Sequence, residues 1–208
     1  MPRPRGRKNA DHEARRGELA RAVLPLIRTS GANRPSLREL ARAAGVQPNT
    51  LRHYFGDRDG LLQAAFVELR ELGEPHMQRS LGLASRPVAE AVAIFLGELV
   101  DAWTPEGLAG VLGAGLLEGL SDNAVGPAYV EHILEPTLQT AEGLLESFMQ
   151  RGQLREGPAR DAALLLIAPI LLALLHQHEL GGARCRPLDV RALVDRHVQA
   201  FLRAWAPT

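Results

Sequence analysis

Apolar residues recur along this chain at the i, i+3, i+4, i+7 spacing that puts them on one face of a helix. Leu19, Ala22, Val23, Leu26 and Ile27 trace a first amphipathic helix within 11–30, with Pro25 bending it and Gly31 closing it. Leu37, Leu40, Ala41 and Ala44 trace a second, and Ser36 stands ahead of it with a side-chain oxygen for the free backbone N–H groups, helped by Glu39 three residues on. Gly45 can take the positive φ that ends this helix, Val46 returns to the core, and Pro48 occupies the first position of a third helix, where no N–H is needed. Leu51, Tyr54 and Phe55 supply the inward face of that helix. Two short helices in such close succession, with the small Ala41 at their crossing, read as a helix-turn-helix over 36–55.

The rest of the chain continues in helices. Asp57 caps a fourth, with Leu61, Leu62, Ala65, Phe66, Leu69 and Leu72 on one face; 81–87 reads as a loop, and Val88, Val92, Phe95, Leu96, Leu99 and Trp103 trace a fifth. Between 104 and 123 five glycines (107, 110, 113, 115 and 119) each weaken a helix by ~1 kcal/mol relative to Ala, which predicts the softest part of the body there. Pro127 opens a long helix to Gln150 that Pro136 kinks, a helix from about Pro158 to Leu180 follows, and a last one runs over 189–205. The architecture predicted is all-α with about nine helices: an N-terminal three-helix helix-turn-helix domain over 1–56 and a C-terminal helical domain over 57–208 for ligand binding and dimerisation.

The outward face of 47–55 changes the picture from fold to function. Gln47, Asn49, Thr50, Arg52 and His53 follow Pro48 at the helix N-terminus, the end that reads base edges when a helix enters the major groove. Asn and Gln pair with adenine edges, Thr touches a thymine methyl, and Arg52 and His53 lie further along, where phosphates are met. The bland alternative is an αα-hairpin whose polar residues are merely solvated.

Charge favours DNA. The 208 residues carry no net charge, yet 1–60 hold 13 Arg/Lys against 6 Asp/Glu while 61–208 hold 11 against 18, so a basic head precedes an acidic body. The first ten residues, with Arg3, Arg5, Arg7 and Lys8 among Pro, Gly and Asn, read as a disordered arm that either reaches DNA or is simply solvated. The longest apolar run, 162–175, is fourteen residues with Pro169 inside it, short of the ~20 of a bilayer span, so no membrane is expected. One cysteine, Cys185, excludes an internal disulfide, and the N-terminus lacks the apolar centre of a secretory signal; both fit a cytoplasmic protein.

The run SLRELARAAGVQPNTLRHYFGDRDGLLQAAF resembles the DNA-binding segment of the tetracycline-repressor (TetR) family of bacterial transcription regulators: a capped helix, A-x-x-A-G-V, a short T-L-Y-x-Y-F-like recognition helix and a charged turn before L-L. The resemblance covers about a quarter of the chain and departs at Arg52, where the family commonly has Tyr. It implies backbone contacts from Ser36, Tyr54 and Arg58, base contacts from Asn49 and Thr50, and a homodimer on double-stranded DNA. Arg52 can hold a phosphate or reach a guanine bidentately. Arg58, in the first turn of the fourth helix, also opposes the helix dipole unless an anion is near.

No zinc-protease, paired C-x-x-C or nucleophile-elbow motif appears, and no cofactor or enzymatic chemistry is expected. His132 and His176 read first as hydrogen-bonded core histidines, and Cys185 as a bystander thiol. Phe95, Glu98, Trp103, Met149 and His176 are candidates to line an effector cavity between helices. The segment 162–175 is apolar all round, so one face packs at home and the other wants a partner; Leu165 and Leu172, with Val194 and Phe201 of the last helix, are the candidates for a four-helix dimer interface. The reading that follows is a ligand-responsive regulator that represses from a pseudo-palindromic operator and is released by a small molecule. The alternative is an all-helical small-molecule-binding or scaffold protein without operator binding.

Overall fold

A computed structural model describes residues 5–30, 33–103, 109–121 and 124–207, and for 5–9 and 109 only the backbone. Arg3, Gly31 and Gly107, and the side chains of Arg5, Arg7 and Lys8, lie outside the described residues. Among the described residues the regular structure is helical: α1 Arg5–Ser30, α2 Leu37–Ala43, α3 Pro48–Phe55, α4 Arg58–Gly82, α5 Val88–Ala102, α6 Ala109–Ser121, α7 Gly126–Tyr129, α8 Glu135–Gln150, α9 Ala159–Leu174, α10 Gly182–Cys185 and α11 Val190–Ala204. A π-helical turn, Val130–Leu134, joins α7 to α8, so the long helix expected from Pro127 is continuous but irregular just ahead of Pro136. That is where a missing N–H is most easily accommodated.

Three expectations are corrected. The arm expected to be disordered is helical from Arg5, and the helix runs on through Pro25 to Ser30. The fourth helix continues through Pro75 to Gly82, so most of the expected loop is helix followed by a 3-10 turn, Leu83–Ser85. The third is the expectation that no segment is long enough to span a membrane. The continuous helix 159–179 has the length and mean hydropathy, 1.8, of a membrane span. It packs on α8, α5 and α11, with Leu166, Ile170 and Leu174 fully buried, as the core helix of a folded domain does.

Two compact units form, and neither ends at residue 56. The first comprises Met1–Leu72 with Gly110–Ile133, the second Gly73–Ala109 with Leu134–Thr208. The first is closed by α6, whose glycines are contact points. A Cβ on Gly110 would collide with the Arg28 carbonyl oxygen of α1, and one on Gly115 would lie within about 3 Å of Tyr129 and Phe66. Those two rings meet edge to face at 5.6 Å, and the Tyr129 hydroxyl donates to the Leu112 carbonyl. Glycine's helix penalty is here exchanged for close helix approach.

The second unit is built on apolar packing of α5, α8, α9 and α11. Phe95, Leu96, Leu144, Leu145, Phe148 and Val198 are in its core, each removal of such a side chain from water being worth about 1.5–3 kcal/mol. Its C-terminal end is fastened by Arg155, whose guanidinium lies 4.3 Å from the Trp205 ring centre and donates to the Ala204 carbonyl.

Candidate nucleic-acid interface

The local signals around 36–55 are realised. The Ser36 hydroxyl accepts from the Glu39 N–H while the Glu39 carboxylate accepts from the Ser36 N–H at 2.8 Å, a complete capping box. Hydrogen bonds from the Ser36 hydroxyl and then its backbone N–H hold the Glu39 carboxyl below its ordinary value. At the other end Gly45 takes φ +67°, the Val46 N–H donates to the Ala41 carbonyl and the Gly45 N–H to the Arg42 carbonyl, the Schellman pair of bonds. Pro48 is the first residue of α3, Leu51 and Phe55 are buried beneath it, and Gly56 closes it at φ +79°. The Asp57 carboxylate then accepts from the Gly60 N–H at 2.9 Å and starts α4. Gly60 allows the sharp turn, because a Cβ there would collide with the Phe55 carbonyl oxygen.

This leaves Gln47, Asn49, Arg52 and His53 exposed and Pro48, Thr50 and Tyr54 half-buried on one short helix. The Arg52 guanidinium donates to the Asn49 side-chain oxygen at 3.1 Å, so the two are held side by side. Tyr54, assigned an inward position from its spacing, is turned part-way out and stacked against His12 of α1, with ring centres 4.7 Å apart. Arg16, also on α1, lies 5.3 Å over the Phe55 ring. Ser36 is exposed but its hydroxyl is engaged in the cap.

Arg58 departs from the expected phosphate contact. Its side chain is only 18% exposed and its guanidinium is turned inward, donating to the Pro35 carbonyl at 2.8 Å and pairing through both terminal nitrogens with the Glu118 carboxylate of α6. Arg34 reaches the same carboxylate at 2.7 Å. Burial, the largest single influence, pushes the Glu118 carboxyl up, but the hydrogen bonds and charges of Arg58 and Arg34 outweigh it and hold the group below its ordinary value. A second buried acid, Glu68, pairs with Arg21 at 2.5 Å. Both acids belong to the half of the sequence with negative excess, and both neutralise arginines of the basic half. Sequence reasoning passed over Glu118, although it is the lone charge in the apolar, glycine-rich run GLAGVLGAGLLEGL.

The other candidates divide. Phe95, Trp103 and Met149 are buried in the second unit, and the Glu98 carboxylate is occupied by the Ser80 hydroxyl at 2.7 Å. His176 Nδ1 lies 2.6 Å from the Gln177 amide nitrogen, and its ring is packed against Gly182. The Trp103 indole N–H is buried without a hydrogen-bond partner among the described residues. The same holds for His132 Nδ1, against the expectation of a satisfied core histidine. A depression of about 500 Å³ is instead found in the first unit, lined by residues that include Leu26, Asn33, Arg34, Glu39 and Arg42, and none of the five effector candidates borders it. Of the dimer candidates, Leu165 and Leu172 are 60% and 65% exposed, whereas Val194 and Phe201 are buried at home, because α11 turns its apolar face onto its own unit. Cys185 is exposed, its thiol directed at the Gly181 carbonyl.

Comparison with known proteins agrees with this geometry. The family model described as bacterial regulatory proteins, tetR family, matches residues 21–65. The HTH-type transcriptional regulator BetI of Paraburkholderia phymatum is 36% identical over 83 residues, which are 39% of this chain and 42% of that protein, so the similarity spans less than half of the relative. A TetR-family transcriptional regulator from Mesorhizobium loti shares the fold with a TM-score of 0.77 at 19% identity, over 93% of this chain and 98% of that one. FadR of Bacillus subtilis, solved in complex with stearoyl-CoA, shares it with a TM-score of 0.65 at 18% identity, over 88% and 96%. Residues 21–65 thus match the model of the tetR family of bacterial regulatory proteins, and the chain shares its fold with the solved regulators.

Proposed function

We propose that this chain is a cytoplasmic, homodimeric transcription regulator that represses from a pseudo-palindromic operator and leaves it when a small molecule binds. The observation that carries the reading is the exposed polar face of α3, set at a helix N-terminus and fixed from both sides by a capping box and a glycine turn. Asn49 and Thr50 read bases; Gln47, Pro48, Arg52, His53 and Tyr54 meet their flanks or the backbone, with Ser36 beside them. In functional terms 1–56 carries the DNA contacts and 57–208 the effector and dimer surfaces. Leu164, Leu165, Ala168, Pro169 and Leu172 form an exposed apolar stripe along α9, which supports a dimer joined there and two α3 helices ~34–36 Å apart, in successive major grooves.

The unmatched Trp103 N–H supports an effector that brings an acceptor into the second unit. Because the related fold of FadR holds stearoyl-CoA, a fatty acyl-CoA is the first effector to test. The effector acts only through a difference in its affinity for the DNA-bound and free conformations.

The test is selection of duplexes from a random-sequence library, followed by footprinting with and without acyl-CoA. The expected result is a two-fold-symmetric site that is lost on ligand addition. Asn49→Ala with Thr50→Ala abolishes the preference for the selected site while leaving the salt-dependent nonspecific binding. If no duplex is enriched, the chain is a helical ligand-binding or scaffold protein that has kept the fold.

A further inference from the structure

Nothing in the spacing of residues connects His12 with the recognition helix, which begins thirty-six residues later. The structure places the His12 ring on Tyr54, nearly parallel at 29°, and sets His53 edge-on to both, 6.2 Å from His12 and 5.2 Å from Tyr54. Three rings from two helices therefore meet on the side of α3 that the resemblance assigns to the DNA backbone. A stack of this kind fixes the Tyr54 ring before any ligand arrives, so less rotamer freedom is lost on binding. It also places two imidazoles against that ring, and histidine is the side chain whose charge ordinarily changes between about pH 5 and 8.

The charged surroundings of the cluster are sparse. The Glu13 carboxylate lies 3.5 Å from His12 Nδ1, and α3 itself carries no acid. On α1, Arg15 is paired with Glu18, Arg16 covers Phe55, and Asp11 is exposed next to His12; on α3, Arg52 is bonded to Asn49. Glu13 is the acid paired with His12, and Asp57, just beyond the end of α3, is exposed and accepts from the Gly60 N–H. Glu13 is 70% exposed, so it is solvated and can yield to a stronger anion.

We propose that His12 is a positioning residue for Tyr54 and that protonation of His12 and His53 supplies a pH-dependent share of the affinity for DNA phosphates. This rests on the reading of α3 as a DNA-recognition helix. By linkage, the form that binds phosphate more tightly carries more protons, so affinity rises as pH falls.

The experiment measures binding of the full chain to a duplex it has itself selected, at about pH 6 and about pH 8 and fixed ionic strength. Wild-type protein is expected to bind more tightly at the lower pH by about fivefold per histidine, the gain of one unit charge ~4 Å from another in water. Its salt slope steepens by ~0.9 for each additional phosphate neutralised. His12→Ala loses part of that rise and also binds more weakly at about pH 8. His12→Phe, which keeps an aromatic face for Tyr54 but no proton, binds more tightly than His12→Ala at the higher pH and still lacks the His12 share of the rise. His178→Ala, at an exposed histidine of the second unit, keeps the wild-type rise and excludes a mere net-charge effect. A wild-type pH profile in His12→Phe, or wild-type affinity of His12→Ala at the higher pH, overturns the proposal. Failure of the wild-type chain to select any duplex overturns the DNA reading itself.

Discussion

The helix pair α2–α3 and the single helix α6 lie in the same unit but are specified in opposite ways. Around α2–α3 each structural decision has a local cause: a capping box starts the first helix, a left-handed glycine stops it, and a proline opens the second. In α6 the local causes point the wrong way. Its glycines argue against a helix, its one acid looks misplaced among apolar residues, and yet it forms thirteen residues of helix. What rescues it is contact: Gly110 against α1, Gly115 against Phe66 and Tyr129, Glu118 against Arg34 and Arg58. Local signals build the helix pair with the exposed polar face, and close contact holds α6 in place.

The contrast breaks hardest at the glycines of α6. Gly110→Val puts a branched side chain where even a Cβ would collide with a backbone oxygen, and is expected to cost about 3 kcal/mol, read as a lowered urea midpoint of unfolding. If α6 were merely soft, the same change would stabilise it through helix propensity.

Glu118→Leu comes next. It strands Arg58, 18% exposed, without its main partner, at an expected cost of about 2 kcal/mol, less than for a fully buried pair because Arg34 is 43% exposed. The pair also sets a pH dependence. The Glu118 carboxyl is held below its ordinary 4.5 in the folded protein, so the stability it contributes is present above that value and is lost as the pH falls through and below it. Glu118→Gln is therefore expected to flatten the acid limb of a melting-temperature profile and to leave its shape near neutrality as it was.

Smaller effects belong to α2–α3. Gly45→Ala forces a Cβ into φ +67° with open space around it, so strain alone acts and about 1 kcal/mol is expected. Ser36→Ala removes one half of the capping box for about 1 kcal/mol. Both losses are checked by thermal melts, and a loss as large as that of Gly110→Val in either would erase the contrast.

Much of the fold was legible because helices follow from residues three and four apart. The spacing placed the main helices, and the caps gave 36–55 its boundaries. The candidate site was legible only where it is local. Gln47, Asn49, Arg52 and His53 are exposed as the periodicity required. Arg58 was misread because the anion near its helix N-terminus is Glu118, sixty residues away in the chain. Val194 and Phe201 carry the same apolar signal as Leu165 and Leu172, and periodicity shows that a face is apolar without showing which neighbour covers it.

Residues close in the chain were thus enough for an all-α protein with a capped, glycine-punctuated helix pair presenting a polar face, because those features arise from backbone geometry within a few residues. Packing between distant segments settled the rest: two acids from the acidic half are buried against arginines of the basic half, α6 is tightly held, and Tyr54 rests on His12. Such pairings depend on which segments meet, and a burial pattern records only that something does.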